Sequence, residues 1–354
     1  MQRERGHTHI KFFKLLLCSS ALIVLPLLSF GNALRNPFFE NAGVGREDTD
    51  AVSNTITKRI DGILNKPSPQ KKRTWMNGGY LNHCQKEMKD LGYGADTFLL
   101  SIGADYKGSS PLSFLDRYIV GIFSSYANAS MDYRGSESLK GDKTKQNSLI
   151  FGYYSGYGVK RWTGFSSSLV SITRHRNSLS MHSGNDLSGP LEKINTCTFC
   201  GHSTRTDIGL SYKYPFKQLI IEPMAFLKYG SAAQKKHSNG NVSLPKQKSK
   251  YLQPIVGIRL EMPVEIGSHK LNPHFFIGFA RDMYRHNNIP KTVNDLQGNQ
   301  VRQTLFERER NSMMTEVGLS MLIKDTMDAD ISYRGEYFRH NKANAVIAGI
   351  NYKF

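Results

Sequence analysis

Long hydrophobic runs are scarce in this chain of 354 residues, and hydrophobic residues make up only 39% of it. After Phe30 no apolar run reaches the roughly 20 residues of a membrane-spanning helix, which excludes a helical membrane bundle. The four cysteines, Cys18, Cys84, Cys197 and Cys200, are too few for a disulfide scaffold. The sequence also lacks a phosphate-cradling glycine loop and a paired-histidine metalloprotease motif. We therefore expect no enzyme, no cofactor and no metal site.

Acidic residues are outnumbered, at 29 against 47 lysines and arginines, which gives a net charge of +18. This balance favours anionic partners, such as lipopolysaccharide or a host cell surface, without choosing among them. One stretch is rich in lysine and contains no acid: Lys235, Lys236, Lys246, Lys248 and Lys250. It predicts either a solvated loop or a surface that binds anionic glycans. No aromatic residues interleave with these lysines, so nucleic acid is not an expected partner.

The C-terminal stretch 344–354 alternates with a period of two, which is typical of a β-strand with two different faces. Ile350, Tyr352 and Phe354 share one face. Upstream, the stretch 328–338 repeats the pattern, with aspartate, arginine and glutamate on its second face. A face that carries such charges must line water, so the opposite face must meet lipid. Two strands of this kind predict a transmembrane antiparallel β-barrel with hydrocarbon outside and water inside.

Similar segments of about 10 to 16 residues follow one another along the chain, and their number, about twelve, is even, as outer-membrane barrels require. They begin near Lys71, Gly92, Asp116, Lys145, Arg161, Ser203, Lys217, Lys248, Ser268, Asn311, Met327 and Asn341. Short turns alternate with long loops, predicted over 81–91, 132–144, 177–202, 231–247 and 285–310. Because such barrels place short turns in the periplasm, Phe354 is expected on the periplasmic side.

Residues 1–33 are predicted to be a signal peptide. Basic residues precede an apolar segment at 15–30, and Gly31-Asn32-Ala33 offers small residues at the two positions that a signal peptidase reads. We expect removal after Ala33. A membrane anchor is the alternative, but the apolar segment is short and interrupted by Pro26. An exported protein without a helical span fits the bacterial outer membrane.

Residues 34–70 are predicted to be a linker that carries an amphipathic helix over about 45–65, followed by the barrel over 71–354. The apolar positions of this helix recur at spacings of four, four and three: Val52, Ile56, Ile60 and Ile63. Pro67 and Pro69 end it. A single helix of this kind is marginal in water, so we expect it to dock on another part of the protein.

The segments above resemble the β-barrel translocator domain of bacterial autotransporters, the type V secretion barrel, over about 49–354. The residues that carry the resemblance are Trp75 with Gly79, GADTFLLSIGADYK at 94–107, LIFGYYSGY at 149–157, Glu222-Pro223, LNPHFFIGF at 271–279 and the closing AGINYKF. The resemblance implies a monomeric barrel of about twelve strands with the amphipathic helix in its pore. It also implies that Ile350, Tyr352 and Phe354 form the signal read by the barrel assembly machinery.

The chain departs from the family pattern in one respect. Only residues 34 to about 49 separate the predicted signal peptide from the helix, which is no folded passenger, and the linker lacks the Asn-Asn pair at which some family members cut themselves. The sequence therefore predicts a surface barrel that displays basic loops, for secretion of a passenger or for adhesion to anionic surfaces. A diffusion porin is disfavoured by the plug helix.

Two His-Ser pairs, His182-Ser183 and His237-Ser238, raise the alternative of a lipid-modifying barrel enzyme of the phospholipase or deacylase type. Such enzymes use a similar-looking His-x-Ser-Asn, in which the intervening residue lets both side chains point to one face of a strand. In this chain the two residues are adjacent, which favours a solvated loop.

Cys197 and Cys200, followed by His202, have a spacing that zinc sites use, but no second pair of ligands is nearby. In an oxidising compartment, a local disulfide between Cys197 and Cys200 is the favoured prediction.

Overall fold

In a computed structural model, the chain forms a closed antiparallel β-barrel around one helix, α1 (Phe38–Leu64). The structure describes residues 38–64, 71–88, 91–109, 117–135, 143–182, 191–235, 237–239, 242–244, 246–267, 269–288, 292–294, 300–302, 310–324 and 326–354. The predicted signal peptide, 1–33, and the end of the linker, 65–70, lie outside these residues. Among the described residues, no helix combines the length and the apolar character needed to cross a membrane.

Twelve strands form the wall. They are β1 (Lys72–Met88), β2 (Leu91–Ser109), β3 (Arg117–Gly135), β4 (Lys143–Val159), β5 (Trp162–His182), β6 (Leu191–Tyr212), β8 (Leu219–Gln234), β11 (Gln247–Glu261), β13 (His269–Arg281), β17 (Asn311–Lys324), β18 (Met327–Tyr337) and β19 (Asn341–Lys353). Short strands lie in the connections: β7 (Tyr214–Phe216), β9 (His237–Asn239), β10 (Val242–Leu244), β12 (Val264–Ile266), β14 (Tyr284–Asn288), β15 (Thr292–Asn294) and β16 (Gln300–Arg302).

The wall is a closed ring of neighbours in chain order. Each wall strand pairs antiparallel with the next, including β11 with β13. The first and last strands also pair, from Arg73↔Lys353 to Gln85↔Asn341. Closure matters because lipid offers no hydrogen bonds to an open sheet edge. The predicted twelve-stranded barrel with one helix is confirmed.

Side chains alternate between the two faces of the wall, as the sequence predicts. On β18 and β19, Ile331 and Ile350 are exposed on the outer face, as is Phe354 directly after β19, whereas Glu336 and Lys353 are buried inside. The outer face carries most of the exposed large hydrophobic residues, and Ile122 on β3 is 67% exposed. An aliphatic outer face of this extent is what a lipid environment requires.

Aromatic side chains border this apolar band at both ends. At the end where Phe354 lies, hereafter the Phe354 end, outward rings pair across and along strands: Trp162 with Tyr212 at 4.8 Å, Tyr106 with Tyr118 at 6.3 Å, and Tyr352 with Phe354 at 6.0 Å.

At the opposite end, hereafter the loop end, three tyrosine hydroxyls donate to side chains on the neighbouring strand: Tyr80 to Asp96 at 2.5 Å, Tyr126 to Asn147 at 2.9 Å, and Tyr333 to Asn344 at 2.8 Å. Amphipathic rings occupy this position at membrane–water interfaces. The two rows of aromatic residues therefore mark the positions of the two membrane–water interfaces on the wall.

The connections are sorted as predicted, with corrections to their bounds. The two longest, 235–246 and 282–310, lie at the loop end, and the tight turns at Lys160, Lys217 and Gly267 lie at the Phe354 end. The long loops predicted over 81–91 and 177–202 were wrong. β1 continues to Met88 and β5 to His182, because pairing extends beyond the apolar band into polar residues whose alternation the sequence hides.

Arginine on the outer face should test which part of the wall meets lipid. Ile122→Arg, midway between Tyr118 and Tyr126 on β3, is expected to cost about 2–4 kcal/mol of folding free energy in lipid vesicles. Asn82→Arg, outward on β1 beside Asp96, should cost about 0–1 kcal/mol because it lies at the interface. Denaturant unfolding in vesicles measures both, and equal costs would contradict the assignment.

Candidate functional site: the lumen and its helix

Helix α1 lies inside the barrel, and most of its side chains over 44–64 are buried. Val52, Ile56, Ile60 and Ile63, the apolar positions predicted from their spacing, are all buried. The polar positions that alternate with them are buried as well: Arg46, Glu47, Asp48, Thr49, Asp50, Ser53, Thr57, Arg59 and Asp61. The helix begins at Phe38, earlier than the predicted 45, and ends at Leu64. An amphipathic helix with both faces buried needs an environment that is itself divided into two halves.

One half of the lumen is apolar. The hydrophobic face of α1 packs against inward side chains of β2 to β5, among them Ile119, Phe123, Ile150 and Leu169. The contact is close, because a Cβ on Gly156 of β4 would overlap the side chain of Ile60. Glycine at this position lets the helix approach the wall.

The other half of the lumen carries charges that match those of the helix. Near the loop end, the Arg46 guanidinium donates two hydrogen bonds to Asp282, at 2.8 and 2.9 Å. It also stacks over the Tyr251 ring, 3.8 Å from the centroid. Bidentate arginine–carboxylate pairs are among the stronger polar contacts in proteins. This pair attaches the helix to the wall near the loop end.

Midway along the helix, Asp50 faces two cations. Lys228 donates to Asp50 at 2.9 Å, and Arg205 donates to the same oxygen. Arg205 also makes a bidentate pair with Asp207 on its own strand, at 2.7 and 2.8 Å. Asp207 in turn accepts from the Ser53 hydroxyl of the helix. The buried charges at this level are therefore connected in one network.

Near the Phe354 end, Arg59 leaves the helix toward the wall and donates to Asp105 at 2.6 Å and to Tyr154 at 3.2 Å. Tyr154 donates to Asp105 at 2.8 Å and accepts from the Trp75 indole at 3.1 Å. Each side chain in this cluster is fixed by at least two others, which makes it a rigid anchor.

The last turn of the helix is held by the wall. Asp61 accepts from Lys213 and from Arg259, both at 3.1 Å. The helix itself has no basic residue in its last turn. Instead, the Lys107 ammonium of β2 places a cation at this end of the helix and donates a hydrogen bond to the Ile63 carbonyl at 3.0 Å. A cation at this position stabilises the negative end of the helix dipole.

Little space remains beside the helix. A cavity of about 80 Å³ lies next to Thr55 and Lys58, toward β17 and β18. Lys58 stands at its edge, 3.7 Å from Glu316 and 3.6 Å from Asp330.

Two groups of acids in the described residues have oxygens close enough to share a cation: Glu47, Asp50 and Glu336, and Asp61, Glu222 and Glu261. In each group, protein cations pair with at least one of the acids. Lys213 lies within 4 Å of all three acids of the second group, at 3.1, 3.7 and 3.6 Å. In the first group, Asp50 is paired as above. The arrangement supports ion-pair networks that hold the helix.

The predicted assembly signal and lysines occupy the outer surface. Ile350 and Tyr352 are exposed on β19, as is Phe354 directly after it, and the Phe354 amide donates to the Lys72 carbonyl at 3.1 Å. Lys235 and Lys246 are exposed beside β8 and β11, and Lys248 and Lys250 point outward from β11 at the loop end. Lys236 lies outside the described residues. The roles of both groups stay predictions.

Cys197 and Cys200 lie on β6, and Cys200 carries a free thiol. Three residues of strand span about 10 Å, more than the roughly 7 Å between Cα atoms that a disulfide bridges. The predicted disulfide therefore requires a local bend of β6 and stays a prediction.

The His-Ser pairs gain no support as a catalytic site. His237 and Ser238 are neighbours on β9, and their side chains lie outside the described part of the structure. His182 ends β5, and Ser183 lies outside the described residues.

Comparison with known proteins agrees with this geometry. The barrel is similar to the β domain of the Bordetella autotransporter BrkA, with 14% identity over 80% of this chain and 100% of that one, at a TM-score of 0.59. It is also similar to the translocator domain of NalP from Neisseria meningitidis, with 13% identity over 87% of this chain and 98% of that one, at a TM-score of 0.60.

A third similar structure is the transport unit of AIDA-I from Escherichia coli, with 16% identity over 82% and 92% of the two chains, at a TM-score of 0.59. No curated protein matches the chain by sequence. The autotransporter beta-domain family model matches residues 74–334. The chain therefore belongs to the autotransporter beta-domain family.

Proposed function

We propose that this protein is an outer-membrane translocator barrel that retains its own helix as a pore plug and displays the segment before that helix at the cell surface. The observation that carries the proposal is the direction of α1. Its Arg46 meets Asp282 at the loop end, and its Asp61 meets Lys213 at the Phe354 end. Because short turns lie in the periplasm in outer-membrane barrels, the N-terminal end of α1 faces the outside.

The proposal includes a route to the membrane. Residues 1–33 would direct export and be removed after Ala33, and the barrel assembly machinery would read Ile350, Tyr352 and Phe354. The outward, exposed position of these three side chains at the end of β19 supports this role, because another protein can contact them there.

The exposed lysines at the loop end support a second role at the surface, adhesion to anionic material such as lipopolysaccharide or a host cell coat. Lys235, Lys246 and Lys248 are exposed there, and surface cations attract such partners over a distance set by the salt concentration.

The plug is held by charge pairs that are costly to break. Arg205 and Lys228 are both buried, so loss of Asp50 leaves two cations in the lumen with less compensation. Breaking a buried pair from one side destabilises by about 3–5 kcal/mol. The closed state is therefore expected to depend on a few residues of α1.

Asp50→Asn should loosen the plug. Asp207 still pairs with Arg205, so we expect the low end of that range, about 3 kcal/mol, and more frequent channel openings in planar bilayers. Thr55→Lys changes the net charge equally but points into the cavity beside the helix, and it should leave conductance near the wild-type level. An Asp50→Asn channel as silent as wild type would argue against plugging by these pairs.

Surface display is tested with epitopes in intact cells. An epitope inserted after residue 35 should bind antibody without permeabilisation. The same epitope at Gly267, in a turn at the Phe354 end, should bind antibody only after the outer membrane is opened. Protection of both epitopes in intact cells would show that the helix runs the other way, and the reverse pattern would show that the Phe354 end faces outward.

Removal of Phe354 tests the assembly signal. We expect a clear fall in the amount of folded barrel in the outer membrane, because the machinery loses the terminal aromatic residue. Lys270→Gln, at an exposed turn of the same end, is the control and should assemble normally. Equal assembly of the truncated chain would leave the signal role without support.

A further inference from the structure

Three cations form a compact cluster on the outer face of the barrel near the loop end. Arg174 and Arg176 lie two residues apart on β5, so both point outward, and Lys145 on β4 is the direct partner of Arg176. All three are exposed. Neighbouring side chains at these positions lie roughly 5 to 7 Å apart. We call Lys145, Arg174 and Arg176 the cation patch.

The cation patch lies one step beyond the lipid-facing band. The pair Leu149↔Ile172, exposed at 49% and 58%, belongs to that band. The next outward pair is Asn147↔Arg174, and the one after it is Lys145↔Arg176. Asn147 also accepts from Tyr126, a member of the aromatic row at this interface. The patch is therefore at the level of lipid headgroups and not in the long loops.

Like charges placed opposite each other on a sheet repel. In the described part of the chain, no acid forms a salt bridge with Lys145, Arg174 or Arg176. The nearby Lys143 differs, because it pairs with Asp132 at 3.2 Å. An external anion would offset the repulsion in the patch.

The strands on both sides of the β1–β19 closure carry other groups at the same level. There Asp96 accepts from Tyr80 and Asn82, and Asn344 accepts from Tyr333. Lys342 of β19 is also exposed there, two residues from Asn344. The cation patch differs in that three exposed cations lie on two adjacent strands, β4 and β5. Lys248 is a further exposed cation on β11, beyond β6 and β8.

We propose that the cation patch binds the phosphate groups of an anionic glycolipid in the outer leaflet, with its acyl chains against Leu149 and Ile172. Guanidinium groups match phosphate oxygens in pairs, and a lysine adds a point charge. Because the aliphatic band lies directly beside the patch, the site favours a phosphate group that belongs to a lipid with acyl chains over free inorganic phosphate. The inference rests on the proposed outer-membrane position but concerns a site on the outer wall, independent of the plug.

The test uses the full-length mature protein, folded in detergent and titrated with bisphosphorylated lipid A, the probe, while native mass spectrometry measures the bound fraction. Lys145→Gln with Arg174→Gln and Arg176→Gln removes the patch. Because three charge-assisted contacts are lost, we expect affinity to fall about tenfold or more. The control, Lys71→Gln with Lys72→Gln and Arg161→Gln, removes three exposed cations at the Phe354 end and should bind like wild type.

Two further arms identify the ligand. Dephosphorylated lipid A should bind the wild-type protein about as weakly as the patch variant binds the phosphorylated form, and inorganic phosphate at equal concentration should not displace the lipid. The proposal is overturned if the patch variant binds like wild type, if the control loses as much affinity, or if inorganic phosphate displaces the lipid. Heat-dependent electrophoretic mobility shows that every variant is a folded barrel. If the patch does not bind the lipid, the proposed function is therefore unaffected.

Discussion

Hydrogen bonding between the first and last wall strands is the constraint on which the rest of the structure depends. The register of β1 with β19, from Arg73↔Lys353 to Gln85↔Asn341, removes the two edges that an open sheet would expose to lipid. Once the ring is closed, every strand must send one face outward and one inward. The apolar outer face, the two aromatic rows and the enclosed lumen all follow from this.

A closed ring of twelve strands leaves an interior that the side chains of the wall do not fill by themselves. Helix α1 fills it, and the lumen is divided to match. Ile56 and Ile60 meet an apolar half, whereas Asp50 and Asp61 meet arginines and lysines. Removing these charges from water is costly, and their exact pairing offsets that cost. The match fixes the helix in one orientation, with its first residues toward the loop end.

The sequence predicts those parts in which one periodicity is uninterrupted. The alternation over β18 and β19 and the spacing of Val52, Ile56, Ile60 and Ile63 each follow from the local pattern. Inward Ile119, Phe123 and Ile150 break the expected polar inner face, because they meet the helix. Similarly, Met224 and Phe226 blur the pattern of β8, because they pack inside the lumen.

Contacts between residues that are distant in the chain could not be predicted from the sequence. Nothing local connects Asp61 with Lys213 and Arg259, or Arg46 with Asp282. The cation patch was missed for a related reason. Lys145 and Arg176 become neighbours only through the β4–β5 register, which is set by the turn at Lys160.

The two tryptophans of the chain test the division between lumen and lipid directly. Trp75 is 4% exposed inside the lumen, and Trp162 is 48% exposed on the outer wall at the Phe354 end. In vesicles of lipid brominated near the top of the acyl chains, a Trp75→Phe protein, which keeps Trp162, should show strongly quenched fluorescence. A Trp162→Phe protein, which keeps Trp75, should retain its emission. Quenching of Trp75 to the same extent as Trp162 would contradict the account.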